Sequence, residues 1–367
     1  MIIKDAIHGN IRVEDFEKRV MDCPDFQRLR RIKQLGMTYL VYPGATHTRF
    51  EHSIGTMQVA SRICEQLGIG GEEKEKVRLY GLLHDLGHTA FSHESEKVLS
   101  PFFGSHEKIG RGRMKEGEMW DVLSEKYSKG EISGLGEGLE QVVVGGDVGA
   151  DRMDYLLRDA HHIGVAYGMV DVDRIIHTLA LENEQLVVDR GGLEAAESLL
   201  VGRFMMFSTV YLHKTVRSSS AMLNQGLKTA IEEGVEPREL LDGTDDEILY
   251  RMVESGKGEE YARALLERKL YKQACSVEGA PEKPDELCRE LSSRCGCEIL
   301  VDLPPVLSKP LDIRIKTEDG LLEILEVSDL VRSLFIAEKN RKETLVFCPA
   351  RNREKVASEA KKLLHIK

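Results

Sequence analysis

The chain has 367 residues, of which 41% are hydrophobic and 31% charged, as expected for a soluble globular protein with two domains or one large domain and an appendage. Its formal net charge of −11 argues against broad binding of duplex nucleic acid, so an anionic ligand would need a local basic pocket. The N-terminus lacks a basic region followed by an apolar one, and no apolar run reaches the roughly 18 residues of a membrane span, so we expect a cytoplasmic protein.

The first elements are predicted to be a hairpin followed by helices. Apolar residues flank the turn signal at His8, Gly9 and Asn10, which predicts a hairpin over residues 2–13. Helical spacing of apolar residues predicts a basic amphipathic helix over 22–36. The remaining predictions in this part are an extended segment at 39–44, a helix that follows residues 46–53 and ends at residue 67, and a helix over 72–86.

The rest of the chain is predicted to be helical first and mixed later. Frequent glycine predicts a loop or a mobile hairpin over 130–149. Helices are predicted over 151–160, 171–181, most of 193–230, 245–253 and 259–270, with a strand over 182–189. Strand-like runs follow at 297–303, 311–316, 321–325 and 344–348, before a last helix over 352–364. The fold class is therefore mainly α, with a helical core and N-terminal hairpin over 1–285 and a small α+β module over 286–367.

One stretch concentrates groups that can bind a metal or a phosphate. His84, Asp85, His88 and His93 follow an apolar lead-in within ten positions. On a helix, His84 and His88 would share a face, and Asp85 would lie about 100° around the helix axis from His84. Buried imidazoles and carboxylates are costly unless paired or metal-bound, which favours a site. The alternative is a solvated helix end.

Two further residues complete a plausible ligand set. His52 and Asp151 also lie among apolar neighbours in predicted helices, which gives the order His52, His84, Asp85, Asp151. Two imidazoles and two carboxylates form a mixed nitrogen and oxygen site that leaves positions open for water or phosphate. A divalent ion there can polarise phosphorus–oxygen bonds and lower the pKa of a water. Fe, Mn, Mg, Zn and Ni all suit this ligand set.

With this pattern the chain resembles the HD-domain metal-dependent phosphohydrolases, an all-α family. Within it, the chain is similar to the branch of deoxynucleoside triphosphate triphosphohydrolases that includes the animal enzyme with an added sterile-alpha-motif domain. The similar runs are residues 5–9, 26–36, 43–53, 84–93, 154–164 and 211–214. The resemblance is strong over residues 1 to about 225 and weaker beyond.

The resemblance implies a role for each group of residues. The metal ligands would be His52, His84, Asp85 and Asp151. The phosphate-facing and proton-transfer residues would be His88, His93, Glu96, His106 and Glu107, with Glu96 at a position where the resembling enzymes carry Asp. The substrate-binding residues would be Gln34, Leu35, Arg49, Arg152, Tyr155, Asp159, Arg203 and Tyr211, with Arg152 where lysine is more familiar.

Two specific functions follow from the same resemblance. Gln34 and Asp159 would bind the sugar 3′-hydroxyl, while Leu35 and Tyr211 would fill the space of a 2′-hydroxyl. A regulatory site for a guanine nucleotide, GTP or dGTP, would use Asp22, Gln27 and Arg30. The expected assembly is a homodimer or a homotetramer.

The sequence therefore predicts hydrolysis of a deoxynucleoside triphosphate (dNTP) to deoxynucleoside and inorganic triphosphate. One alternative is a phosphohydrolase that acts on a ribonucleotide, a monophosphate or a cyclic nucleotide, because a fold does not determine its substrate. Another is a nucleotide-binding regulator with a vestigial metal site. A zinc peptidase is disfavoured because no glutamate follows His84.

Overall fold

The computed structural model describes residues 1–168, 170–304, 312–339 and 341–364. Most of these residues lie in helices, and the strands form three small sheets. The strands are β1 (Ile2–Asp5), β2 (Gly9–Arg12), β3 (Leu179–Glu182), β4 (Gln185–Asp189), β5 (Lys272–Glu278), β6 (Leu300–Asp302), β7 (Arg314–Thr317), β8 (Gly320–Glu323) and β9 (Glu343–Cys348). The predicted N-terminal hairpin is confirmed, since β1 and β2 pair antiparallel with Ile3 opposite Ile11.

The helices of the first half surround the candidate site. They are α1 (Asp15–Asp22), α2 (Pro24–Arg28), α3 (Arg49–Leu67), α4 (Gly71–Leu83), α5 (His93–Phe103), α6 (His106–Arg113), α7 (Gly117–Leu123), α8 (Lys129–Gly134), α9 (Leu139–Gly145) and α10 (Ala150–Ile163).

The second half continues with α11 (Val172–His177), α12 (Leu193–Met206), α13 (Lys214–Glu232), α14 (Pro237–Asp242), α15 (Asp245–Ser255), α16 (Glu259–Leu266), α17 (Pro284–Cys295), α18 (Ile324–Val327), α19 (Asp329–Lys339) and α20 (Arg353–Leu364). A π-helical turn, Phe207–Tyr211, follows α12. The mainly α prediction is confirmed. Across the described ranges, no helix is both long and apolar enough to cross a lipid bilayer.

Helix α3 lies at the centre of the molecule, with α4 and α10 packed against it. A capping box between Thr48 and Glu51 begins α3, and Gly68, with a φ of 70°, ends it in the left-handed conformation that glycine adopts most readily. Met57 and Ile63 on α3 are fully buried, in two different apolar clusters. Because two sides of α3 are covered, its buried polar residues, such as His52 and Thr56, need partners in the protein interior.

The helix predicted over 72–86 ends earlier than expected, so His84 and His88 do not lie within it. Helix α4 ends at Leu83, so His84 is its C-cap and His88 lies in the turns that follow. Gly87 explains this ending, because a Cβ there would lie 2.0 Å from the carbonyl oxygen of His106. The expectation that His84 and His88 share a helix face is therefore wrong, and tertiary contacts bring them together instead.

Three other predictions in the core are wrong for local reasons. The helix predicted over 22–36 breaks after Arg28 into a 3-10 turn, and Ile32 is extended with a φ of −116°. The segment predicted to be extended at 39–44 lies in and just beyond a 3-10 helix, Gly36–Leu40. The loop predicted over 130–149 contains α8 and α9, because buried Val143 anchors α9 despite the surrounding glycines.

The later strands and helices agree with prediction in kind but differ in extent. The helix predicted over 171–181 is shortened to α11, because residues 179–182 form β3 and pair with β4. Strands β3, β4, β7 and β8 form one sheet in that order, and β5, β9 and β6 form another. Both sheets draw strands from each side of residue 285, and the division into 1–285 and 286–367 stays a prediction.

Candidate active site

The four predicted metal ligands meet at one point beside α3. His52 lies within α3, His84 and Asp85 follow α4, and Asp151 lies in the first turn of α10. The Nε2 atom of His52 is 3.0 Å from Oδ1 of Asp151 and 3.5 Å from Oδ2 of Asp85. The Nε2 atom of His84 is 3.8 Å from the same Asp151 oxygen. Three separate segments of the chain thus supply two imidazoles and two carboxylates.

Hydrogen bonds fix which ring nitrogen of each histidine faces the centre. Nδ1 of His84 lies 2.9 Å from the carbonyl oxygen of Gly81, which can only accept, so Nδ1 carries the proton. Nδ1 of His52 likewise lies 2.8 Å from Oδ2 of Asp154. Both Nε2 atoms are buried and have no hydrogen-bond partner among the described residues. When deprotonated, the two buried Nε2 atoms direct lone pairs at two carboxylates, which fits a divalent metal ion.

The electrostatics of the centre favour a cation. Burial lowers the pKa of His52, but Asp151 and Asp154 outweigh it and raise the pKa to about 10. Burial raises the pKa of Asp85, but the Arg49 guanidinium holds it well below its usual range. A pocket that stabilises a proton on His52 stabilises a metal ion in the same place.

Asp154 belongs to the site, although the sequence reasoning did not assign it a role. Its carboxylate also lies 2.6 Å from Nε2 of His8 and accepts two hydrogen bonds of 2.9 Å from Arg158. Arg158 is almost fully buried and reaches Asp5 in the N-terminal hairpin. The sequence contained a hint of this role, since Asp154 follows Asp151 by one helical turn and His8 lies in residues 5–9, one of the runs similar to the family.

The predicted proton-transfer residues form a second cluster next to the first. Glu96 binds two imidazoles, with one oxygen 2.9 Å from Nδ1 of His93 and the other 2.8 Å from Nδ1 of His106. The ring of His88 stacks on that of His106 with centroids 4.0 Å apart. The Nε2 atom of His88 lies 3.3 Å from Oδ1 of Asp85, which joins the two clusters.

The pKa values of His88 and His106 are shifted in opposite directions. Burial and the Arg49 charge lower the pKa of His88 well below its usual range, which keeps the ring neutral. Burial also lowers the pKa of His106, but the Glu96 carboxylate outweighs it, so the net pKa is raised. Glu107 is about half exposed, with a carboxylate oxygen 3.5 Å from Nε2 of His106. A protonated imidazole held by a carboxylate can act as a general acid.

The three predicted phosphate-binding arginines are each paired with a carboxylate. Arg49 lies 2.6 Å from Asp85 and also donates to the Ser92 hydroxyl at 2.9 Å. Arg152 lies 2.6 Å from Asp147. The remaining pair joins Arg203 to Glu338 at 3.2 Å. Burial raises the pKa of Tyr155, and the charges of Arg152 and Arg203 oppose that rise, so these side chains are neighbours.

The predicted sugar-binding residues are only partly brought together. Asp159 accepts a 2.5 Å hydrogen bond from the Tyr211 hydroxyl, and its other oxygen lies 2.7 Å from Nε2 of His47, which the sequence reasoning did not assign to the site. Gln34 is buried, and its side-chain oxygen has no partner among the described residues. Leu35 directly precedes the 3-10 helix that begins at Gly36.

Two of the three predicted regulatory residues contact each other. Arg30 donates a 2.8 Å hydrogen bond to the Gln27 side chain, and its guanidinium lies 3.5 Å from the ring centroid of Phe50. Asp22 is exposed at the end of α1. Arg30 and Asp22 are both accessible, and the pair of Gln27 and Arg30 lies on the outer side of the helix bundle.

Comparison with known sequences agrees with this geometry. The HD domain matches residues 49–125, and the HD associated region matches residues 170–367. The chain belongs to the HD-domain phosphohydrolase family. The HD domain match includes His52 and the pair of His84 and Asp85.

Relatives extend over nearly the whole chain. An uncharacterised protein of Methanocaldococcus jannaschii is 35% identical over 95% of this chain and 79% of its own length. The deoxynucleoside triphosphate triphosphohydrolase SAMHD1 homolog of Dictyostelium discoideum is 28% identical over 99% of this chain and 80% of its own. The crystal structure of a phosphohydrolase from Bacteroides thetaiotaomicron superposes with a TM-score of 0.73 at 27% identity, over 95% of this chain and 99% of its own.

Proposed function

We propose that this HD-domain phosphohydrolase hydrolyses dNTPs to deoxynucleoside and inorganic triphosphate. The observation that carries the proposal is the contact between the two clusters, in which Oδ1 of Asp85 lies 3.3 Å from Nε2 of His88. A metal site and a proton-transfer group that touch can act on the two ends of one phosphorus–oxygen bond. The Dictyostelium relative, whose name states this activity, supports the choice of substrate.

The reaction breaks one ester bond and needs one proton donor. A water attacks the α-phosphorus and loses one proton, the bond from phosphorus to the sugar 5′-oxygen breaks, and that oxygen gains one proton and leaves as a hydroxyl. When bound, a divalent metal ion at His52, His84, Asp85 and Asp151 supplies Lewis acidity to the phosphate and lowers the pKa of the water.

The residues of this chain supply the proton and the orientation. His106, whose pKa the Glu96 carboxylate raises, donates to the leaving oxygen in its protonated form, and His88, whose pKa burial lowers, donates a hydrogen bond to the phosphate chain as a neutral ring. Arg49, Arg152 and Arg203 neutralise the phosphate chain, which an acidic protein otherwise repels.

Discrimination against ribonucleotides depends on Asp159 and Tyr211. The 2.5 Å hydrogen bond between them holds the phenol ring in place, so that the ring occupies the space beside C2′ while the carboxylate accepts from the 3′-hydroxyl. A ribonucleotide would then bury an unpaired 2′-hydroxyl at a cost of about 1–3 kcal/mol. This predicts a clear preference for deoxyribose that is short of absolute.

Activation by a guanine nucleotide is part of the same proposal. Arg30 is exposed and can donate to guanine O6 and N7, and Asp22 can accept from N1–H and the N2 amino group. The proposed assembly is a homodimer or a homotetramer. Unchanged turnover and unchanged oligomer size up to millimolar GTP and dGTP would remove this part of the proposal.

A substrate panel tests the proposed activity. The purified chain is incubated with each dNTP, NTP, monophosphate and cyclic nucleotide, with Mn²⁺ and with Mg²⁺, and the consumed nucleotides are resolved chromatographically. Consumption of dNTPs in preference to the other nucleotides supports the proposal. Consumption of only ribonucleotides, monophosphates or cyclic nucleotides contradicts it, as does ligand-induced stabilisation by dNTPs without turnover.

A further inference from the structure

One arginine of the proposed phosphate pocket is held by a helix from the C-terminal part of the chain. Arg152 pairs with Asp147, which lies five residues before it. Arg203 instead pairs with Glu338, a residue of α19, and its Nη1 atom lies 3.2 Å from one carboxylate oxygen and 3.4 Å from the other. A helix distant in sequence therefore contacts a residue of the proposed phosphate pocket.

The pair of Arg203 and Glu338 is largely shielded from water. The Arg203 side chain is 5% exposed and that of Glu338 is 16% exposed. Burial raises the pKa of Tyr155 and of Tyr211, and the Arg203 charge opposes that rise in both. The Arg203 guanidinium also lies 4.7 Å from the ring centroid of Phe207, which is 5.0 Å from the ring centroid of Tyr211, so the ion pair lies beside the proposed substrate residues.

Helix α19 has other attachments to α12, so the ion pair is one contact among several. The Ser328 hydroxyl, just before α19, donates to the Glu197 carboxylate at 2.6 Å. The Arg341 guanidinium, just after α19, lies 4.6 Å from the ring centroid of Phe204. Loss of the ion pair would leave the C-terminal end of α19 held by the Arg341 contact, while the Ser328 hydrogen bond still holds the N-terminal end.

A phosphate group and the Glu338 carboxylate cannot both occupy the hydrogen-bonding positions of Arg203 Nη1 without strong repulsion in a site that is poor in water. We propose that Glu338 competes with the phosphate chain of the substrate for Arg203, so that α19 sets the affinity of the pocket for polyphosphate. The inference rests on the proposed function only in assigning Arg203 to the phosphate chain. Because coupling is reciprocal, a bound polyphosphate loosens the C-terminal end of α19.

Neutralising Glu338 tests the competition. Inorganic triphosphate is titrated calorimetrically into the full-length, metal-loaded chain carrying Glu338→Gln. The matched control is Asp329→Asn, which removes the same charge from the same helix where the side chain is 94% exposed. We expect Glu338→Gln to lower the Kd for inorganic triphosphate about 5-fold or more and Asp329→Asn to leave it unchanged.

The opposite role for Glu338 predicts the opposite result. If the carboxylate merely held Arg203 in its binding position, Glu338→Gln would raise the Kd. An unchanged or raised Kd overturns the proposal, and so does the absence of binding by both the wild-type chain and the variant.

Hydrogen exchange gives a second test, and its decisive measurement uses the wild-type chain alone. Amide exchange over residues 329–339 should become faster when inorganic triphosphate saturates the protein, and Arg203→Gln should abolish this response. Unchanged or slower exchange contradicts the competition. Neither measurement needs turnover, so a chain that binds inorganic triphosphate but releases none from dNTPs would disprove the proposed function and leave this inference standing.

Discussion

His52 is held between two carboxylates of one helix, with Nδ1 2.8 Å from Asp154 and Nε2 3.0 Å from Asp151. The first contact fixes the ring and its proton, and the second points the remaining lone pair at the proposed metal position. Asp151 and Asp154 are three residues apart on α10, so one helical turn supplies both a ligand and the residue that orients another ligand.

We predict that Asp151→Asn removes both bound metal and turnover while the fold persists. The substitution keeps the side-chain volume but removes a ligand charge, and the carboxylate is 37% exposed, so little packing changes. Metal affinity should fall by more than the roughly 10–100-fold that is typical when a residue hydrogen-bonded to a metal ligand is mutated. Metal analysis, turnover and thermal unfolding measure the three quantities. Wild-type turnover by the variant would exclude the proposed metal site.

Asp154→Asn should weaken both metal binding and the fold. The Arg158 side chain is only 1% exposed, and the substitution removes one of its buried carboxylate partners. This loss should lower the free energy of unfolding by about 3–5 kcal/mol. Metal affinity should fall about 10–100-fold because the His52 ring is no longer fixed. Urea unfolding and metal titration of the folded fraction separate the two effects. Asp173→Asn, at an exposed ion pair, is the control, and wild-type metal affinity in Asp154→Asn would contradict the orienting role.

Glu96 should set the alkaline limit of activity. The carboxylate raises the pKa of His106, so the protonated acid persists to higher pH than an ordinary histidine would. Glu96→Gln removes the negative charge that raises the pKa of His106. The pKa should therefore fall, and the alkaline limb of the kcat–pH profile should move to lower pH. Glu96→Asp keeps the charge and should retain most of the profile. Superimposable profiles for wild type and Glu96→Gln would show that His106 is not the acid.

Alanine substitutions at Gly87 and Gly112 should have opposite effects, the first harmful to turnover and the second stabilising. A Cβ at Gly87 would lie 2.0 Å from the His106 carbonyl oxygen, so Gly87→Ala must displace the turn that carries His88. Turnover should fall at least about 10-fold, because small misplacements of reacting groups are costly. Gly112, in α6, has open space at its Cβ position, and Gly112→Ala should stabilise the fold by about 0.5–1 kcal/mol without affecting turnover. Equal activity of the two variants would contradict the role of this turn.

The four metal-ligand candidates that the sequence singled out lie together in the structure, but the local structure that positions them was not predicted correctly. His52, His84, Asp85 and Asp151 were recognisable by residue type and resemblance, and the structure gathers them. The helical-face argument for His88 failed because the close approach of Gly87 to α6 ends α4 early. Such a contact spans about 20 residues of sequence and leaves no periodic signal.

Partners that come from distant segments were the hardest to predict. Asp154 contacts His8, which is 146 residues away, and Arg203 contacts Glu338, which is 135 residues away. Each residue alone resembles an ordinary surface or capping residue. Only the tertiary fold makes these charges neighbours, and burial then makes their pairing obligatory.

The fate of the attacking water tests the central claim most directly. The chain is incubated with dGTP and Mn²⁺ in ¹⁸O-labelled water, and the products are identified by mass spectrometry. Attack at the α-phosphorus with loss of the sugar oxygen predicts inorganic triphosphate that carries one ¹⁸O atom and unlabelled deoxyguanosine. Release of pyrophosphate or orthophosphate instead of triphosphate, or label in the deoxyguanosine, would contradict the proposed reaction.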